Sequence, residues 1–290
     1  MKGSYIMYKN ITITGFSDEI SKNVKEQFEH LKTLGIEYFD PRGVDGVTVT
    51  KLSDEETDNL KKTMDEYGIK VACIGSPIGK IQITDDFDEH MEALKKAIKI
   101  TKKLDAKYIR IFSFYIPDGK YDEYRDEVMR RMQAMADLAE SEGVILLHEN
   151  EKGIYGDIAC RCKDILDTVK SPALGCVFDP ANFVQCGQKV YPEGYELLKP
   201  YITYLHIKDA LADGKVVPAG MGIGSVKEVI SDLIKSGYKG FACLEPHLGS
   251  FEGLGGLEKD DKMLKLEKSD SGKFTLSYDA LCKILDEVGA

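Results

Sequence analysis

What the chain lacks narrows its class first. Its seven cysteines include no Cys-x-x-Cys pair, and Cys160 and Cys162 sit too close together for half of a zinc site and have no matching second pair. A structural zinc module is therefore not expected. The cysteine number is odd, and Cys73, Cys176 and Cys243 lie inside apolar runs, the usage of buried, reduced thiols in a cytoplasmic protein. No early apolar run has the length or flanks of a signal peptide or a membrane span. There is no basic stripe either. The 39 Lys and Arg residues are dispersed among 49 Asp and Glu, for a net charge of −10, which argues against a nucleic-acid partner. No GxGxxG follows the first β-rich run, so the usual dinucleotide reading falls away. The expectation is a soluble, cytoplasmic protein acting on a small polar molecule, with neither nucleic acid nor membrane as partner and homo-oligomerisation left open.

What is present is a regular alternation of β-rich and helical patterns. The run 11–15 is followed by a polar helical pattern over 21–34, stopped at Gly35. Strand 36–40 precedes a helix opened by Ser53 with Glu56 three residues on, a capping box, and running to Gly68. Strand 69–75 leads to an amphipathic helix over 85–104 with Met91, Leu94, Ile98 and Leu104 near helical spacing. Strand 106–112 is followed by a helix over 121–142 ending at Gly143, and strand 144–150 by a helix over 157–169. Strand 174–178, a loop from Asp179 to Phe183 and a short helix near 193–199 come next. Strand 201–207, a helix over 225–236 stopping at Gly237, strand 240–244 and a last helix over 277–288 complete eight βα units. The spacing predicts a (β/α)8 TIM barrel in the α/β class, a single domain over residues 1–290, with a long loop over 248–273 on the active face.

Four consecutive strands end on side chains that packing alone would not put there. They are Glu149, Asp179, His206 and Glu245, spaced 30, 27 and 39 residues apart, each about one strand, helix and strand. In a parallel barrel those ends share one face, where chemistry sits. One such residue is easily a harmless polar strand end, but four in succession are not. Three carboxylates and one imidazole form a hard donor set suited to one divalent ion, Mn, Mg, Co or Zn.

The sequence resembles the sugar phosphate isomerase/epimerase group with the xylose isomerase-like TIM barrel. That group includes tagatose 3-epimerase, hydroxypyruvate isomerase and inosose dehydratase. The resemblance runs nearly end to end through GlyPheSerAspGluIle (15–20), IleGlySerProIleGlyLys (74–80), IleArgIlePheSerPheTyr (109–115), HisGluAsn (148–150), PheAspProAlaAsn (178–182), HisIleLysAsp (206–209) and LeuGluProHis (244–247). The resemblance places the metal ligands on the same four residues. It also implies substrate contacts at Asn182, Lys208 and His247. Asn182 stands where related ketose epimerases carry a histidine, and Lys208 and His247 each lie two residues beyond a ligand and so on its side of the strand.

Arg110, Ser113, Glu37 and Arg42 are further candidates for the pocket, with Arg110 read as an intrabarrel salt bridge. His90 is expected on a helix surface and His148 toward the helix layer, and His30 gets no role. ProAlaGlyMetGlyIleGly (218–224) has the look of a phosphate cradle ahead of a helix.

The reading is a divalent-metal-dependent isomerase or epimerase of a small sugar, sugar phosphate or sugar derivative. The ion would hold two adjacent substrate oxygens and stabilise an enediolate, while Glu149 and Glu245 move the proton as catalytic residues. Alternatives are a keto-polyol (inosose-type) dehydratase, an endonuclease IV-like DNA repair enzyme, which the five histidines and the acidic balance oppose, and a non-catalytic sugar-binding barrel.

Overall fold

The computed structural model describes residues 8–251 and 267–290. Eight parallel barrel strands follow in order: β1 (Ile11–Gly15), β2 (Tyr38–Phe39), β3 (Lys70–Val71 and Cys73–Ile74), β4 (Tyr108–Ile111), β5 (Ile145–Glu149), β6 (Leu174–Phe178), β7 (Ile202–Ile207) and β8 (Gly240–Leu244). Neighbours in sequence are neighbours in space from β3 to β8, and β8 pairs with β1 through Ile11 opposite Gly240 to Gly15 opposite Leu244. The ring closes through the short β2. Its Tyr38 and Phe39 pair with Lys70 and Val71, and the amide of Asp40 donates to Gly15 O at 3.0 Å.

The strands read as near-continuous apolar runs because both of their faces are covered, one by the barrel interior and one by helices. Among the described residues the α-helices are α1 (Val24–Thr33), α2 (Asp54–Tyr67), α3 (Phe87–Lys103), α4 (Tyr121–Glu142), α5 (Ala159–Thr168), α6 (Pro180–Gln185), α7 (Tyr195–Leu198), α8 (Val226–Lys235) and α9 (Ser271–Val288). The capping box at α2 forms in both directions: Ser53 Oγ accepts from Glu56 N at 3.2 Å, and Glu56 Oε2 accepts from Ser53 N at 2.7 Å. Gly68 ends α2 at φ 66 and Gly143 ends α4 at φ 72, left-handed positions that cost glycine nothing. The layer between strands and helices is filled by fully buried Phe28, Phe39, Leu31, Met64, Leu94 and Phe274, each contributing roughly 1.5–3 kcal/mol of burial.

Three expectations change. The segment after Asp179 is not a loop but the helix α6, because Asp179 caps it and Pro180 supplies a pre-set first turn. The last helix starts at Ser271, six residues before the expected start, capped by Asp270, whose carboxylate accepts from Lys273 N at 2.9 Å. Of the long loop expected over 248–273, residues 252–266 lie outside the described residues; its described flanks meet where Ser250 N donates to Glu267 O at 2.8 Å. Among the described residues no helix is long and apolar enough to cross a membrane, and all seven cysteines are free thiols.

Candidate metal centre

The C-terminal ends of β5 to β8 bring the four expected residues together. Glu149 is the last residue of β5, Asp179 follows β6, His206 lies on β7 opposite Cys243, and Glu245 follows β8. All four are buried, and their ligand atoms lie within 4.8 Å of one another. His206 Nδ1 is 3.0 Å from Glu149 Oε1 and 3.1 Å from Glu245 Oε2. An ion with bonds of about 2.1 Å places adjacent donors about 3 Å apart, so the cluster already has coordinating spacing. Hard oxygen donors with one nitrogen suit a divalent cation, and three buried carboxylates offer the negative charge to hold it.

Each of the carboxylates is braced. Arg110 Nη1 lies 2.7 Å from Glu149 Oε2, and its Nε donates to Ser76 O at 3.1 Å. Asn182, carried inward by the first turn of α6, donates to Glu149 Oε1 at 3.2 Å and to Asn150 O at 2.9 Å. Asn150 in turn exchanges two hydrogen bonds with the backbone of Asp179, at 2.9 and 3.0 Å, aligning the ends of β5 and β6. Lys208 Nζ sits 3.0 Å from both Asp179 Oδ2 and Glu245 Oε2. Arg42 approaches Glu245 Oε1 at 3.5 Å while binding Asp18 at 2.9 Å and Glu19 at 3.1 Å, its guanidinium between the rings of Phe16 and Phe251.

These contacts set the protonation states. Burial pushes the Glu149 carboxyl up, but His206 and Arg110 outweigh it and hold the group low. Glu245 is likewise raised by burial and held well below the carboxylate range by Lys208 and His206. For Asp179 burial wins over Lys208, and Glu245 and Glu149 add to it, so its carboxyl is pushed up. Burial lowers His206, yet Glu149 and Glu245 raise it to about 9. His247 is lowered by burial. It is therefore neutral and accepts from Arg42 Nη1 at 3.3 Å, which makes its 3.3 Å approach to Glu245 a contact and not an ion pair. The amide of His247 donates to Glu19 Oε2 at 2.8 Å, and the residue sits at φ 45, a left-handed position that a non-glycine residue holds only when its surroundings fix it.

A cleft above the cluster is lined by Lys80, Arg110, Glu151, Asn182, Gln185, Lys208, Glu245 and His247, so all three expected contact residues reach it. Arg110 both forms the expected internal ion pair and faces this cleft. Arg42 reaches the site but Glu37 does not: it lines a cavity of about 490 Å³ with Ile11, Ile36, Tyr38 and Ile69, at the strands' opposite ends. Ser113 is turned away, bonded to His148 at 2.9 Å and to Gly156 N at 2.8 Å, so only His148 of that pair lies as expected. His90 is buried and not on a surface, because its Nε2 accepts from Gly79 N at 2.8 Å and pins the turn that carries Lys80. His30 joins α1 to α9 through Thr275 at 2.9 Å. Of the five histidines, only His206 and His247 belong to the site.

The expected phosphate cradle is already filled. The Asp209 carboxylate accepts from the amides of Ala210 (2.8 Å), Gly220 (3.0 Å), Gly222 (3.0 Å) and Gly224 (2.8 Å). The loop is an anion nest whose anion is the chain's own side chain. A Cβ at Gly222 would meet Asp209 Oδ1 at 2.4 Å, so the close approach needs glycine. Asp18 and Glu19, which bind Arg42, have no assigned role in the sequence reading; a pair of acids just past a strand end is the signal that points to them.

The chain belongs to the xylose isomerase-like TIM barrel family, whose description its sequence matches over residues 28–265. Its fold is similar to that of a D-tagatose 3-epimerase-like protein (18% identity, 96% of this chain and 98% of that one, TM-score 0.72). It is also similar to the IOLI protein with a binding zinc atom (16% identity, 96% and 99%, TM-score 0.74). A third similar structure is a xylose isomerase-like TIM barrel protein from Mycobacterium smegmatis in complex with magnesium (17% identity, 97% and 98%, TM-score 0.68). No curated protein sequence matches the chain.

Proposed function

We propose that this protein is a divalent-metal-dependent isomerase or epimerase of a small sugar, sugar phosphate or sugar derivative, the chain 1–290 working as one cytoplasmic barrel domain. The observation that carries the reading is the buried cluster of Glu149, Asp179, His206 and Glu245 at coordinating spacing beneath a polar cleft. The similarity to an epimerase-like protein and to barrels bound to zinc or magnesium supports it, as do the free thiols for the compartment. A divalent ion held by these four residues would supply Lewis-acid stabilisation for negative charge developing on a substrate carbonyl oxygen.

The chain's own groups do the rest. Glu149 ends β5 and Glu245 follows β8, three strands apart around the ring, so they reach the cluster from different sides; Glu245 lines the cleft and Glu149 is buried. Both are held ionised by their cationic neighbours, which keeps the proton-accepting form available at neutral pH. In an epimerase one takes the proton from the carbon next to the carbonyl, while the other takes up a proton from solvent and delivers it to the opposite face, and the first then returns its proton to solvent; in a 1,2-isomerase one glutamate takes the proton and gives it to the neighbouring carbon. Asn182, Lys208 and His247 contact the substrate from the cleft wall. The test is incubation of the manganese-loaded protein in deuterated water with a panel of ketoses, their phosphates and keto-inositols. Deuterium at the carbon next to the carbonyl is expected for at least one of them. Turnover of a substrate with no such exchange would defeat the two-glutamate route and leave shielded transfer by one glutamate or hydride transfer.

A further inference from the structure

The cations around the cluster do not all grip the same atoms. Arg110 holds Glu149 by Oε2, leaving Oε1 to face His206. Arg42 approaches Glu245 from the Oε1 side, leaving Oε2 to face His206. Both arginines thus hold the outer oxygens and leave the inner ones pointing at the centre. Lys208 behaves differently. Its Nζ lies 3.0 Å from Glu245 Oε2, the same inner oxygen that His206 approaches, and 3.0 Å from Asp179 Oδ2. The other Asp179 oxygen is committed to the amide of Asn182 at 2.9 Å as the cap of α6. Lys208 is only 4% exposed, so its charge is poorly screened by water, and the donor set it neutralises is the one that would bind the ion.

We propose that Lys208 is a built-in competitor for the divalent ion, a fixed cation on the two inner carboxylate oxygens that holds the metal affinity of the site down. The inference rests on the four-ligand reading above and adds a role that reading does not contain. An ion entering the cluster shares Glu245 Oε2 and Asp179 Oδ2 with an ammonium group or makes it move. The flexible stem of lysine permits that movement, and its far end already lines the cleft. Repulsion between a unit charge and a divalent ion bound to common oxygens inside a protein changes affinity by about tenfold or more. The site therefore binds its metal less tightly, and releases it faster, than the same three-carboxylate site without the lysine would.

The experiment compares metal-free wild type and Lys208→Met, whose side chain keeps the length and loses the charge, in titrations with Mn²⁺ against a fluorescent chelator. The expected result is a Kd about tenfold or more lower in the variant, with slower release of Mn²⁺ to excess chelator. The release measurement starts from protein purified with Mn²⁺ bound, so it remains decisive if the variant does not fold metal-free. Wild-type binding with an equal or weaker Kd, or equal or faster release, in Lys208→Met overturns the proposal and makes Lys208 an organiser of the ligands. Failure of the wild type itself to bind Mn²⁺ or any other divalent ion overturns the underlying four-ligand reading instead.

Discussion

Replacing Asp209 by alanine removes the anion around which the β7 to α8 connection is folded. Four backbone amides at 2.8 to 3.0 Å lose their acceptor at once. Hydrogen bonds to a charged acceptor contribute roughly 1.5–3 kcal/mol each, and they do not add fully. Gly220 is exposed and Gly222 half-buried, so water replaces part of what those two lose. Ala210 and Gly224 are buried, and theirs is not replaced. The expected loss of stability is about 3–5 kcal/mol. Asp209→Asn is expected to fall between wild type and alanine, because one of its two polar atoms becomes a donor aimed at amide donors. Chemical unfolding followed by far-ultraviolet circular dichroism reads the change as a lower midpoint with an unchanged slope. A loss below about 1 kcal/mol for Asp209→Ala would show that the nest does not organise the loop.

Glu149→Gln and Glu245→Gln are each expected to lower turnover by about two orders of magnitude or more. A variant that keeps metal and near-normal turnover assigns its glutamate to ligation alone. Because His206 is raised to about 9 in the metal-free protein and must lose its proton to ligate, metal affinity is expected to rise with pH up to about that value. Calorimetry near pH 7.5 in two buffers of different ionisation enthalpy checks this: release of about one proton per ion is expected from His206, and none contradicts it. His90→Ala leaves Gly79 N without its acceptor and is expected to cost about 1–3 kcal/mol, read as a lower Tm. Burial lowers the folded-state His90 to about 4, below its ordinary 6.5, so the unfolded chain binds the extra proton. Its stabilisation is present above pH 6.5 and is lost as pH falls through 4.

The barrel is legible because strand and helix alternate with clear stops, and the buried cluster of Glu149, Asp179, His206 and Glu245 because four successive strands end on residues that packing does not explain. What was missed has local causes. Asp179 is a ligand residue in the sequence reading and a helix cap in the fold, and a six-residue helix carries too little periodicity to announce itself after a strand-end carboxylate. Gly272, two residues into α9, weakens the helical pattern there and moved its expected start to Ser277. His90 stands four residues before Leu94, with Ala97, Ile98 and Thr101 continuing the buried face of α3; the periodicity that located that helix also placed His90 inside. The cradle at 218–224 was recognisable as a nest of amides, but no spacing rule says whether its anion comes from a ligand or from Asp209. The ion pairs of Lys208 and Arg42 join residues far apart in sequence and exist only once the ring is closed.

Metal content tests the central claim most directly. Wild-type protein and Asp179→Ala, loaded with a mixture of Mn²⁺, Mg²⁺, Co²⁺ and Zn²⁺, desalted and analysed by mass spectrometry of the elements, are expected to carry about one divalent ion per chain and almost none, respectively, since the variant loses one anionic donor of a four-donor site. One ion per chain in both proteins, or none in either, would contradict the assignment of Glu149, Asp179, His206 and Glu245 as the metal centre.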